Sequence, residues 1–209
     1  MTAIRAALSF DAEHPDRPTD PGVEEQLLDR LAALDVRATF FIQGRWAEAY
    51  PETARRVVRE GHLVGSHSFY HVRMPLLSAP GFDTDVRRAE AVVRSIVRVD
   101  PRPWFRLPFG TGSNRAAIHR RLAALGYRHV HWDVNAEEWR PSATARDVEE
   151  AIVAGVLERG DGAIVLLHAW PRIVPAAVER VVERLRDAGV ELVGVDELAV
   201  EPEVDAVAG

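Results

Sequence analysis

The chain contains no cysteine, which excludes disulfides and thiolate metal ligands, so any metal must be held by histidine and carboxylate. It has no run of 18 apolar residues, so a membrane-spanning helix is not expected. Residues Met1 to Phe10 lack the polar-flanked apolar core and small-residue cleavage site of a secretory signal, and the expectation is a soluble, cytoplasmic protein. Basic residues are not in excess: 26 Lys+Arg stand against 32 Asp+Glu, a formal net charge of −6. No basic run interleaves with aromatics, which argues against a nucleic-acid partner. What remains is ample apolar material. With 209 residues, 47% of them hydrophobic, a chain of this length buries roughly 70% of its unfolded surface in one core. A single domain over residues 1–200 is expected, with 201–209 as a tail.

Short apolar runs alternate with helical periodicity. Ile4 to Phe10, Val36 to Ile42, His62 to Val64, Trp104 to Leu107, Tyr127 to Trp132, Ala163 to Leu167 and Val190 to Val195 read as strands. Between them Val23 to Leu34, Pro51 to Glu60, Asp83 to Val99, a segment capped by Ser113 or Asn114 and running to Leu125, Ala145 to Glu158, and Arg172 to Ala188 read as helices. Gly44 closes the second strand and Gly61 caps the second helix. About seven parallel strands surrounded by helices make an α/β fold, a parallel sheet or barrel. In such barrels the active groups lie at the C-terminal ends of the strands. Asp11, His67, Arg106, the Asn135 to Trp139 loop and His168 all follow strand runs and are therefore expected to meet at one rim.

Gly65-Ser66-His67-Ser68-Phe69-Tyr70-His71 holds two imidazoles four residues apart. On a helical turn their Cβ atoms would lie about 5–6 Å apart, within reach of one ion. The pair is half of a metal site. A divalent ion held by two His and one carboxylate polarises a carbonyl and acidifies water, a nearby carboxylate serves as general base, and a His across the substrate protonates a leaving amine. The reaction class is metal-assisted amide or ester hydrolysis.

Five segments occur in order: Ser9-Phe10-Asp11-Ala12-Glu13, His67-Ser68-Phe69-Tyr70-His71, Arg106-Leu107-Pro108-Phe109-Gly110, Trp132 to Trp139, and Leu166-Leu167-His168. Together they resemble the polysaccharide deacetylase family, carbohydrate esterase family 4, also called the NodB-homology domain, over residues 4 to about 198. The resemblance implies a distorted (β/α) barrel and a divalent metal, Zn2+ first with Co2+, Ni2+ or Mn2+ as alternatives. It implies Asp11 as base, Arg106 as its partner, the Phe109 N–H as oxyanion donor, His168 as general acid, Leu166 as wall of the acyl pocket, and an amino-sugar or small amide substrate.

Two motifs depart from the family. Most members have Asp-Asp in the first, the second Asp binding metal, and here that position is Ala12. Some members space the acids as Asp-X-Asp, and Asp11-Ala12-Glu13 fits that spacing, which makes Glu13 the expected third ligand beside His67 and His71. His14, Asp16, or a site of the two His alone remain alternatives. The family's Asp-X-X-Asp-Trp is read here in Asn135-Ala136-Glu137-Glu138-Trp139, with Glu138 bonding His168 and Trp139 walling the pocket. These departures leave open a hydrolase of another C–N bond, such as a cyclic imide or ureide inside the cell, or a non-catalytic carbohydrate-binding relative. Trp46, Trp104 and Trp170 are candidates for stacking on sugar rings; His62, His119, His129 and His131 read as structural or surface.

Overall fold

The computed structural model describes residues 4–16 and 20–198, so the 201–209 tail lies outside the described residues. Eight strands are present among them: β1 Ile4–Ala12, β2 Thr39–Ile42, β3 Leu63–Ser66, β4 Trp104–Phe105, β5 Arg128–His129, β6 Val134–Asn135, β7 Ala163–His168 and β8 Val190–Leu192. Every pairing is parallel, in the order β5-β4-β3-β2-β1-β7-β6, with β8 against the first residues of β1. The sheet curls into an open barrel whose outermost strands, β5 and β6, do not pair with each other. Seven strands were expected. The eighth, β6, is two residues long and offers no alternation to read.

Helices α1 Val23–Ala33, α2 Gly44–Ala49, α3 Pro51–Arg59, α4 Ala79–Val97, α5 Ala116–Ala124, α6 Ala145–Arg159 and α7 Val174–Asp187 cover the sheet. Helix α6 starts on a capping box between Thr144 and Asp147, which satisfies backbone donors that the first turn leaves unpaired. Helix α2 was not expected. Gly44 opens this helix rather than merely closing β2, because its missing Cβ lets the Phe69 ring pack against the backbone. Arg115 occupies the N-cap position of α5 without a side-chain cap bond, and neither Ser113 nor Asn114 serves.

Side chains of β1 alternate between two environments. Leu8, Phe10 and Ala12 face outward into a core shared with α1, α3, α6 and α7. Ala7, Ser9 and Asp11 face inward, paired in register with Ile164, Leu166 and His168 of β7. The interior therefore rises in layers from apolar, where Phe41, Trp104, Val130 and Val195 fill it, to charged at the C-terminal end. That end is the rim where the strand-following polar residues were expected.

Candidate active site

At the rim, Asp11 and Glu13 leave β1, His67 leaves β3, Arg106 leaves β4 and His168 ends β7. Glu13, His67 and His71 are all buried, with donor atoms within 4.8 Å of one another. Glu13 Oε2 lies 3.2 Å from His67 Nε2 and 2.5 Å from His71 Nε2. His67 Nδ1–H donates to the Arg106 carbonyl at 2.9 Å, which fixes the ring's orientation and turns Nε2 toward Glu13. Two imidazole nitrogens and a carboxylate oxygen converge from separate loops, a donor set that fits a divalent ion with open positions.

Burial works against the charge on Glu13, but hydrogen bonds from His14, His67 and His71 outweigh it and hold its carboxyl well below the usual range. His71 is pushed down, mainly by burial, and so is held in the neutral form a ligand needs. His67 goes the other way: burial lowers it, yet Asp11 and Glu13 raise it more. A cation entering the site must therefore displace a proton from His67.

The His67–His71 segment is a loop, not the helical turn expected. Ser68 and His71 have left-handed backbones, φ 62° and 56°. Asp85 of α4 accepts the Phe69 and Tyr70 N–H groups at 2.9 and 3.1 Å, and Ser68 Oγ accepts the His71 N–H at 2.9 Å. Side chains thus replace the helical ladder, and the two rings still meet, centroids 4.8 Å apart. The Arg88 guanidinium covers the Phe69 ring at 3.8 Å and bonds the Tyr70 hydroxyl.

Arg106 is wholly buried inside the barrel. Its Nη1 donates to Asp11 Oδ1 at 3.0 Å, its Nη2 to Ser9 Oγ at 2.8 Å, and its Nε to the Val130 carbonyl at 3.2 Å. The planar group lies over the Phe41 ring at 4.1 Å. Asp11 Oδ2 is left facing His67 Nε2 at 3.4 Å. Asp11, Glu13 and His168 form a second group whose donor atoms lie within 4.8 Å of each other. Arg106 already supplies a positive charge to Asp11, so the His67–His71 side is the better place for a cation.

Glu138 is buried, and its Oε1 accepts both the backbone N–H of His168 at 2.7 Å and its Nδ1–H at 2.8 Å. Burial lowers the His168 pKa, but Glu138, Glu13 and Asp11 raise it further, so the net shift is upward. His168 Nε2 points toward Glu13 Oε1, 3.8 Å away. A cavity of about 310 Å³ opens over this cluster, lined by Asp11, Glu13, His71, Phe109, Leu166 and His168 with Trp139 standing edge-on to His168. Phe109 sits in a left-handed turn, φ 58°, with its side chain half exposed.

The cavity wall also includes His14, named from sequence only as an alternative ligand, and Trp132, which was assigned no role from sequence. Of the three tryptophans expected as stacking candidates, Trp170 lines the cavity, two residues after His168. Trp46 and Trp104, the other stacking candidates, are buried in the core. Asp16, an alternative ligand, turns out to the surface and pairs with Arg45 at 2.9 Å. His62 and His129 are structural: burial pushes them down to about 4 and about 3, and their Nδ1 atoms accept the Ala38 and Leu107 N–H groups.

A family model described as polysaccharide deacetylase matches residues 2–130. The chain belongs to that family. The peptidoglycan-N-acetylglucosamine deacetylase PgdA of Listeria monocytogenes is 31% identical over 198 residues, which is 94% of this chain and 39% of that protein. The chain thus spans well under half the length of this relative. The chitooligosaccharide deacetylase of Rhizobium leguminosarum bv. trifolii is 33% identical over 163 residues, 77% of this chain and 69% of the relative. The solved structure of T48 deacetylase with substrate is 32% identical and superposes with a TM-score of 0.80, covering 93% of this chain and 89% of the other. No helix among the described residues is long and apolar enough to cross a membrane.

Proposed function

We propose that this chain is a metal-dependent hydrolase that removes an N-acetyl, or similar small acyl, group from an amino sugar. The observation that carries the reading is the register of β1 and β7, in which Asp11 pairs with His168. A carboxylate and an imidazole leave adjacent strand ends beside the Glu13, His67 and His71 cluster. A binding module has no need of that pairing.

Glu13, His67 and His71 would hold the ion, with Zn2+ our assignment from two imidazoles and one carboxylate. When bound, it supplies Lewis acidity to a carbonyl and to water. Asp11, its outer oxygen free of Arg106, takes the proton from the attacking water. Arg106 fixes the orientation of Asp11 through a bond that side-chain rotation would break. The Phe109 N–H donates to the developing oxyanion. His168, kept protonated by Glu138, passes its proton to the leaving amine. Leu166 and Trp139 bound the space for the acyl methyl. The names of the relatives, deacetylases of peptidoglycan and of chitooligosaccharides, support an N-acetylated amino sugar as substrate.

The test is acetate release by zinc-loaded protein from N-acetylglucosamine oligomers, small N-acetylated metabolites and cyclic imides. Acetate release that a chelator and Asp11→Asn both abolish is the expected result. Turnover of an imide with silence on every acetylated compound would replace the reading with hydrolysis of another C–N bond. The ligand assignment has its own check: Glu13→Ala is expected to lose zinc, and equal affinity would refute it.

A further inference from the structure

Glu13 is one methylene longer than an aspartate, so its carboxylate has an extra rotatable bond and two oxygens that compete for the same neighbours. In this chain four imidazoles surround it. Oε2 faces His67 and His71, while Oε1 faces His14 Nε2 at 3.1 Å and His168 Nε2 at 3.8 Å. His14 is itself fixed on three sides. Its backbone is left-handed, φ 57°, and its N–H donates at 2.8 Å to Oε1 of Gln43, the buried residue that precedes α2. Its ring stands edge-on to that of His71, centroids 4.4 Å apart. A carboxylate oxygen only accepts, so His14 Nε2–H is the donor of this bond.

We propose that His14 is a positioning residue for the metal site: it occupies Oε1 of Glu13 and leaves Oε2 alone directed at His67 and His71. His14 thereby restrains the rotation that the extra methylene of Glu13 allows. This rests on Glu13 being a ligand. Without His14, the carboxylate is free to turn both oxygens inward or to swing toward His168, so affinity falls and the coordination of the ion changes. Outer partners of metal ligands typically account for about 10- to 100-fold in affinity.

The experiment compares the parent, His14→Ala, His14→Gln and Glu13→Ala. Zinc dissociation constants come from competition with a chromophoric chelator, and cobalt-loaded protein reports coordination through its visible spectrum. His14→Ala is expected to bind zinc about 10- to 100-fold more weakly, with a cobalt band of altered position and intensity. His14→Gln keeps an N–H donor and is expected to stay close to the parent in both readouts. Parental zinc affinity and an unchanged cobalt spectrum in His14→Ala would overturn the proposal. So would a glutamine variant as impaired as alanine, since that result shows that the N–H bond to Oε1 is not what His14 contributes. If Glu13→Ala loses zinc while His14→Ala does not, only the role of His14 falls; if Glu13→Ala binds as the parent does, the ligand reading falls with it.

Discussion

Replacing Arg106 by methionine removes a fully buried cation while keeping most of the side-chain volume. The guanidinium bonds Asp11, Ser9 and the Val130 carbonyl at 2.8–3.2 Å, and all three partners are buried. Removing one partner of a buried ion pair costs about 3–5 kcal/mol, chiefly because the other charge is left unpaired. For a chain of this size each kcal/mol moves Tm by about 2–4 °C, so Arg106→Met is expected to melt roughly 6–20 °C lower. Urea unfolding with a chelator present gives the free energy without a contribution from bound metal. The double variant Arg106→Met/Asp11→Asn removes the stranded charge as well. It is expected to cost less than the sum of the singles, with a coupling of about 1–3 kcal/mol. Arg106→Lys keeps the charge but not the fork that reaches three acceptors, and it should fall between parent and methionine. A methionine variant less than about 1 kcal/mol below the parent, or singles that add, would refute the reasoning that Arg106 and Asp11 are a coupled buried pair.

Glu138→Gln removes the strongest of the influences that raise the His168 pKa. A general acid is lost as pH rises through its pKa, so the alkaline limb of kcat should move to lower pH; an unmoved limb removes Glu138 from that role. Asp85→Asn keeps one acceptor oxygen where the carboxylate held two backbone N–H groups, and it should destabilise by about 1–3 kcal/mol and weaken zinc binding through the His67–His71 loop. Parental zinc affinity there would show the loop is held without it. Zinc must displace a proton from His67, whose pKa is raised, so affinity should fall by about tenfold per pH unit below that pKa and level off above it. Chelator competition across pH reads the slope, and a flat profile would contradict the proton displacement.

The long elements were legible because burial leaves a mark on sequence. Strand β7 is the continuous apolar run expected of a strand covered on both faces, and α7 shows its apolar face at helical spacing. Strands β4, β5 and β6 have two residues each, too few for any period. Tyr127 to Trp132 therefore read as one strand, although pairing ends at His129 and the chain then brings Trp132 to the cavity wall. Helix α2 is six residues long and starts on a glycine chosen for the close approach of Phe69, a constraint that only the tertiary packing reveals.

The site divides along the same line. Asp11, His67, Arg106 and His168 were placed at one rim by alternation alone, since each follows a parallel strand and all such strands end on one side. The residues that hold them had no such mark. Asp85 lies mid-helix in α4, where an acid ordinarily faces water, and only the left-handed backbone at Ser68 and His71 creates the unpaired N–H groups it accepts. The spacing of the two histidines suggested a helical turn and a loop delivered them, so spacing identified the pair without identifying the backbone. Ala12 fits its place on the same physical ground. Position 12 of β1 faces the outer core with Leu8 and Phe10, whereas position 13 returns to the inward face and, with the reach of an extra methylene, puts an oxygen between the two rings. A carboxylate at position 12 would begin in the apolar layer under the helices, and Glu13 avoids that cost by starting on the polar side of the strand.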